Sequence, residues 1–103
     1  MSFMRISWGK VDSGVWEQFE EQNRTVLSPE TPGLLGRWVT RDTKDPDNFF
    51  TVSIWRSEAD VDAWLASPQY LKLAELDPYL VGGYSTSVCE IRFESIEKIQ
   101  RKS

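Results

Sequence analysis

The residues best suited to chemistry lie at alternating positions of two short apolar segments. Arg5 and Ser7 belong to the first segment, and Thr51 and Ser53 belong to the second. Alternate residues of a strand share one face of a sheet, so the members of each pair point the same way. A few polar groups among aromatic side chains are typical of a small-molecule pocket. The candidate pocket residues are Phe3, Arg5, Ser7, Trp38, Thr51, Ser53, Trp55, Trp64 and Tyr70.

The polar candidates also have purely structural interpretations. Arg5 could run to the sheet edge or pair with a carboxylate, keeping its charged head in water. Ser7, Thr51 and Ser53 could instead hydrogen-bond the local backbone. The sequence leaves both interpretations open.

The tryptophans carry a similar ambiguity. The chain has five Trp among 103 residues, a density that favours a pocket or an interface in addition to a core. Trp55 and Trp64 could equally be core residues. Arg37 and Trp38 are neighbours on one strand and face opposite ways, and the strand phase does not decide which faces the helices.

Several kinds of chemistry are excluded by composition. The chain has no His and a single Cys, Cys89. It therefore has no Ser-His-Asp triad, no His-ligated metal or haem and no internal disulfide. Asp42, Asp45 and Asp47 lack the spacing and the Gly of a calcium loop, so they predict a turn. We expect neither a metal nor a cofactor.

Length and charge narrow the class of protein further. The chain is sized for one domain, predicted over residues 1–94 with a tail over 95–103. Its net charge of −4 disfavours a nucleic-acid partner. The first ten residues lack a long apolar run, so we expect no signal peptide, no membrane partner and a cytoplasmic location.

The periodicity of apolar residues predicts the elements that position the candidate residues. Alternating segments predict four strands and 3.6-residue spacing predicts two helices, the second restarting at Ser67 and Pro68 and ending before Gly82 and Gly83. This order, βαββαβ, predicts an α+β ferredoxin-like domain with an antiparallel four-stranded sheet and helices on one face. The predicted strands span residues 3–11, 34–41, 49–55 and 84–93, and the first helix runs from residue 15 to a loop at 28–33.

The predicted sheet is too apolar to expose either face. The side without candidate pocket residues carries Met4, Ile6, Trp8, Phe50, Val52 and Ile54. An antiparallel sheet that meets water on one side is normally polar there. A second copy laid sheet to sheet would cover this face, so we predict a homodimer that closes a two-chain α/β barrel.

Three stretches of the chain resemble the antibiotic biosynthesis monooxygenase domain. They are residues 32–35 (PGLL), 50–58 (FTVSIWRSE) and 63–70 (AWLASPQY), and the resemblance extends from about Phe3 to Phe93. It implies a ferredoxin-like dimer that oxygenates polycyclic aromatic phenols or quinols without metal or flavin. It also implies that a substrate anion passes an electron to dioxygen in a dry pocket, with Arg5 favouring the oxyanion and Trp64 as the second catalytic residue.

Not every site residue of that family is matched. Members that degrade haem use an Asn, a Trp and a His; Trp64 matches the Trp, whereas Ser7 takes the Asn position and the His falls near Ala74. In members that oxidise anthrones, Trp55 matches the Trp and Thr51 takes the Asn position. Two functions therefore remain: a cofactor-independent monooxygenase using a small aromatic substrate and dioxygen, or a non-catalytic, stress-related protein that binds a small hydrophobic ligand.

Overall fold

The computed structural model describes residues 2–27 and 30–96 and confirms the predicted order of elements. Residues 28 and 29 of the predicted loop, and residues 97–103 of the predicted tail, lie outside the described residues. The strands are β1 (Phe3–Val11), β2 (Leu34–Arg41), β3 (Asn48–Trp55) and β4 (Leu80–Glu90). The helices are α1 (Trp16–Leu27), α2 (Glu58–Leu65) and α3 (Pro68–Leu71), and α3 continues as a 3₁₀ helix over Lys72–Tyr79. None of the described helices is long and apolar enough to cross a membrane.

The four strands form one antiparallel sheet in the order β2-β3-β1-β4. The register places Arg37, Ser53 and Arg5 side by side on three neighbouring strands. In the next row, Thr51 lies beside Ser7. Because residues in register share a face, these polar side chains all point toward the helices.

The last strand begins earlier than predicted because of its two glycines. Gly82 and Gly83, with φ of 75° and 77°, lie inside β4 instead of ending a helix. The pairing of β1 with β4 shifts register between Gly9 and Lys10, opposite these glycines. Gly tolerates the positive φ that such a β-bulge needs, so the strand continues through it. β4 then ends at Glu90, three residues before the predicted end.

The helices pack on one face in two separate clusters. One cluster holds Val11, Trp16, Phe19, Phe49 and Leu76, and the other holds Trp55, Val61 and Trp64. Leu73 packs against both. The core is therefore divided, with the polar rows of the sheet between its two halves.

None of the described helices covers the other face of the sheet. Trp8, Phe50 and Trp38 keep 38%, 40% and 55% of their surface exposed. The predicted division of β1 and β3 into a helix-covered face and an open apolar face is confirmed.

Gly33 fixes the start of α2 against β2. Ser57 caps α2 by accepting from the Asp60 backbone N–H, and its hydroxyl donates to the Asp60 carboxylate. The backbone N–H of Arg56 donates to the carbonyl of Gly33 at 2.9 Å. Gly33 has a φ of 82°, and a Cβ there would overlap the Asp60 side chain.

Replacing Gly33 should therefore destabilise the fold more than replacing another glycine of similar φ. Gly14, with a φ of 85°, has open space where a Cβ would be, so Gly14→Ala should lower the free energy of unfolding by about 1 kcal/mol from backbone strain alone. Gly33→Ala should lower it by at least about 1 kcal/mol more, since the Cβ displaces Asp60. Urea denaturation of both variants measures the difference, and equal losses would contradict the packing argument.

Candidate functional site

A cavity lies between the two core clusters. The sheet contributes Arg5, Ser7, Arg37, Thr51 and Ser53 to its wall. The helices and the start of β4 contribute mainly apolar groups: Phe19, Asn23, Leu27, Trp64, Leu73, Leu76, Leu80 and Tyr84, with Phe49 of β3 beside them. Its volume is about 50 Å³, which is room for a few water molecules. A ligand with several rings would extend through the open side.

Two guanidinium groups face this cavity, and neither has a carboxylate partner. Arg5 is 5% exposed and donates only to hydroxyls, those of Ser7 at 3.1 Å and Tyr70 at 3.5 Å. The Nη2 atom of Arg37 is buried and has no hydrogen-bond partner. Within residues 2–27 and 30–96, no Asp or Glu forms an ion pair with either group or lines the cavity. A buried cation normally has a partner, so this cavity is suited to an anion.

The pKa of Arg37 is lowered, as expected for a buried cation without a carboxylate beside it in the described residues. Burial, and then the nearby charge of Arg5, lower the pKa of Arg37 to about 10. The group is still cationic at neutral pH. The free cavity therefore holds two like charges in a poorly hydrated space, and an anionic ligand would relieve their repulsion.

Trp64 stands at the centre of the site. Both guanidinium carbons lie over its ring, that of Arg5 at 5.2 Å from the centroid and that of Arg37 at 5.0 Å. Tyr70 packs edge-on against the same ring at 4.9 Å. Trp64 is 5% exposed, and its buried Nε1 finds no acceptor in the described part of the chain. The indole N–H is thus a buried donor whose hydrogen bond is not made within the described residues.

A hydrogen-bonded pair of tyrosines begins at the cavity wall, to which Tyr84 belongs. The hydroxyls of Tyr70 and Tyr84 are 3.3 Å apart, and Tyr84 is 42% exposed. The hydrogen bond with Tyr70, together with burial, raises the pKa of Tyr84. Tyr84 is therefore neutral at physiological pH.

The sheet hydroxyls are already engaged within the protein. Ser7 donates to the Thr86 hydroxyl at 3.3 Å. Ser53 donates to the Arg5 carbonyl at 3.4 Å and accepts from the Trp55 indole at 2.8 Å. Ser53 therefore fits both interpretations. It lines the cavity, and it also hydrogen-bonds the backbone of Arg5 and the indole of Trp55.

The structure brings together most of the predicted site residues. Arg5, Ser7, Thr51, Ser53 and Trp64 line the cavity. The remaining predicted residues do not line it: Phe3 and Trp55 pack in the cluster behind Trp64, and Tyr70 reaches the site through Arg5.

The placement of Trp38 corrects the sequence-based prediction. Trp38 pairs with Val52 on the open face of the sheet and is 55% exposed. Its neighbour Arg37 pairs with Ser53 and faces the cavity. The contribution of β2 to the site is thus a cation instead of an aromatic ring.

Sequence reasoning missed two polar residues of the cavity wall, Asn23 and Tyr84, and left Arg37 open as the alternative to Trp38. Asn23 is 4% exposed and donates to the Phe19 carbonyl at 2.9 Å. Its position four residues after Phe19, on the apolar side of α1, was a usable signal, since a polar residue within such a stripe is unusual.

The comparisons with known proteins agree with this architecture. The family model for antibiotic biosynthesis monooxygenase matches residues 5–76. No curated protein sequence gives a significant match. Rv0793 from Mycobacterium tuberculosis superposes with a TM-score of 0.80 at 14% identity, over 93% of this chain and 100% of that chain. A variant of SnoaB, a cofactor-independent oxygenase from Streptomyces nogalater, gives 0.80 at 15% identity, over 93% and 98%. A conserved protein from Methanosarcina mazei gives 0.79 at 12% identity, over 86% and 91%. At these identities the likeness shows the fold.

Removing the charge of Arg37 should stabilise the protein. Because its pKa in the folded state lies below the ordinary value, the penalty is complete at pH 7 and declines only above about pH 10. Arg37→Gln should raise the free energy of unfolding at pH 7 by about 1 kcal/mol, after allowance for solvent screening of a partly exposed group.

The matched control is Arg41→Gln. Arg41 lies on the same face of β2, but stacks over Trp16 at 4.7 Å and donates to the Pro46 carbonyl. This variant should not gain stability. A loss of stability in Arg37→Gln as large as in Arg41→Gln, measured by urea denaturation, would show that Arg37 is a structural residue.

Proposed function

This chain belongs to the antibiotic biosynthesis monooxygenase family, and we propose that it is a cofactor-independent monooxygenase that oxidises a quinol or phenolic polycyclic aromatic with dioxygen. The observation that carries the proposal is the cavity. It combines aromatic walls with two guanidinium groups and an indole N–H that find, among the described residues, no carboxylate and no acceptor respectively. Such a site suits a flat ring that carries a negatively charged oxygen.

The first task of the protein is to favour the anion of the substrate. The charge of Arg5 lowers the pKa of a phenol bound near it, because it stabilises the phenolate relative to the neutral form. The indole N–H of Trp64 adds a hydrogen-bond donor to the developing oxyanion. No Asp or Glu of the described residues lines the cavity, and the chain has no His, so the proton passes to solvent.

The second step transfers electrons to dioxygen. The substrate anion gives one electron to O₂, which forms superoxide and a substrate radical, and the two combine through a new C–O bond. The resulting peroxide takes up one proton. A ring carbon that is CH₂ in the keto tautomer then loses water as the O–O bond breaks and becomes C=O. One dioxygen thus supplies the oxygen of the carbonyl and the oxygen of the water.

The protein's contribution to this step is containment and orientation. The rings of Phe19, Phe49 and Trp64 hold the substrate plane and exclude water from its reacting carbon. Superoxide formed in this cavity stays beside two cations, which favours its recombination with the radical over escape.

The open face of the sheet supports a homodimer as part of the proposal. Trp8, Trp38 and Phe50 together form a partly exposed aromatic surface without a helix to cover it. A second copy stacked on this face would bury it. The proposed partners are therefore a small aromatic substrate, dioxygen and a second copy of the chain, and the cytoplasm stays the predicted location.

Oxygen consumption tests the activity. We expect the protein to raise the uptake of dioxygen by at least one member of a panel of naphthohydroquinones, anthrones and anthrols above the protein-free rate. Trp64→Phe keeps the ring but removes the N–H, and Arg5→Gln removes a charge, so each should slow uptake by about 10-fold or more.

Trp16→Phe is the control for a general effect of tryptophan replacement. Trp16 packs in the other core cluster and does not line the cavity, so uptake should be unchanged. Uptake by the folded protein that never exceeds the protein-free rate would reject the oxygenase and favour the non-catalytic ligand-binding protein.

Sedimentation analysis tests the dimer. The expected mass is twice the 11.9 kDa of the chain. Phe50→Glu should shift the protein toward the monomer, because it places a charge in the proposed interface. Leu71→Glu introduces the same charge on α3, on the helix-covered side, where Leu71 is 71% exposed, and should leave the dimer intact. A monomeric wild-type protein would refute the proposed assembly.

A further inference from the structure

Arg37 belongs to the wall that the cavity shares with a second space. A groove of about 440 Å³ runs between α1 and β2, and it shares Asn23, Leu27 and Arg37 with the cavity. The groove is wider than the cavity itself. A ligand that reaches from the cavity past Arg37 would enter this groove.

The other charges of the groove are already paired. Glu20 binds Arg24 at 2.8 Å and accepts from the Trp16 indole at 3.1 Å, while Arg24 also contacts Glu21 at 3.5 Å. Arg37 forms no ion pair among the described residues, although its side chain also borders this groove. The uncompensated charge of the groove is thus concentrated on Arg37.

Stacking on aromatic rings leaves one hydrogen-bond donor of Arg37 without a partner among the described residues. Its carbon lies 5.0 Å from the Trp64 centroid and 5.9 Å from that of Trp55, which explains the orientation of the side chain. Nη2 nevertheless remains buried without an acceptor. A buried donor without a partner is energetically costly, and an acceptor on a ligand would remove that cost.

The two cations are also placed for two different groups on one molecule. Arg37 and Arg5 flank Ser53 in one row of the sheet, and their guanidinium carbons lie 5.0 Å and 5.2 Å from the Trp64 centroid, so at most about 10 Å separates the two charges. Arg5 is held by Ser7 and Tyr70, and in the proposed function it serves the reacting oxyanion. Arg37 is left for a second acidic group at the other end of the ring system.

We propose that the substrate carries a carboxylate and that Arg37 binds it at the junction of cavity and groove. A carboxylate is planar and matches the fork of a single guanidinium. The ligand class is therefore a hydroxyaryl carboxylic acid. This inference rests on the proposed function for the identity of the reacting group.

Calorimetric titration with three redox-stable probes tests the inference without turnover. The probes are 6-hydroxy-2-naphthoic acid, 6-hydroxy-2-naphthamide and 2-naphthol, used under argon at pH 7. The acid carries its hydroxyl and its carboxylate at opposite ends of a rigid bicycle. We expect the wild-type protein to bind the acid at least about 10-fold more tightly than the amide.

Variants of Arg37 and Arg41 test whether Arg37 is the residue that makes the acid bind more tightly than the amide. In Arg37→Gln the acid and the amide should bind equally, while the affinity for 2-naphthol stays within about 3-fold of wild type. Arg37→Lys keeps the charge without the fork and should retain part of the preference. Arg41→Gln should retain all of it, because Arg41 points to Trp16.

The inference is overturned by equal binding of acid and amide to the wild-type protein, or by a preference that survives Arg37→Gln. A preference lost in Arg5→Gln and kept in Arg37→Gln would move the carboxylate to Arg5 and overturn it as well. Binding and oxygen uptake are separate measurements. If the protein prefers the acid but consumes no dioxygen, the carboxylate site stands and the oxygenase activity is rejected. If it consumes dioxygen but shows no preference for the acid, the oxygenase activity stands and the carboxylate site is rejected.

Discussion

The row of Arg37, Ser53 and Arg5 across three strands is the constraint on which the rest of the structure depends. Two guanidinium groups on the helix-covered face prevent the formation of one continuous apolar core, because a buried cation without a counter-charge is unfavourable. The core divides into two clusters instead, and the space between them becomes the cavity. Trp64 makes this arrangement tolerable, since its ring faces both cations. The site is thus a consequence of how the sheet is paired, with the helices supplying its apolar walls.

Most of the fold could be predicted from the sequence, because the strands β1 and β3 alternate cleanly and the caps of α2 and α3 lie at Ser57 and Ser67. The same alternation identified Arg5, Ser7, Thr51 and Ser53 as members of one face. It failed on β2, where the pairing with β3 shifts between Leu34 and Gly36, and counting residues cannot foresee such a shift. The sequence therefore predicts Trp38 in the site, where the structure has its neighbour Arg37. The bulge at Gly82 and Gly83 displaced the start of β4 in the same way.

The comparisons separate what the scaffold supplies from what this chain adds. Structures that share only 12% to 15% of their residues with it superpose over most of the chain. Identity this low leaves the backbone as the common element, so substrate choice depends on the few polar groups that point into the cavity. In this chain those groups are dominated by positive charge, although the net charge of the whole chain is −4. The field inside the site is therefore opposite in sign to the overall charge of the protein.

The two faces of β1 and β3 line different surfaces, and this has a consequence for how the protein tolerates mutation. Successive residues of these strands serve two different surfaces, one around the cavity and one on the open apolar face. Replacing a residue changes one surface and leaves the other intact, so lineages built on this scaffold can acquire new ligands through point substitutions. Inserting or deleting a single residue in either strand would exchange the two surfaces over the remainder of the strand. A change of strand length in β1 or β3 is therefore more costly to this architecture than a change of side chain.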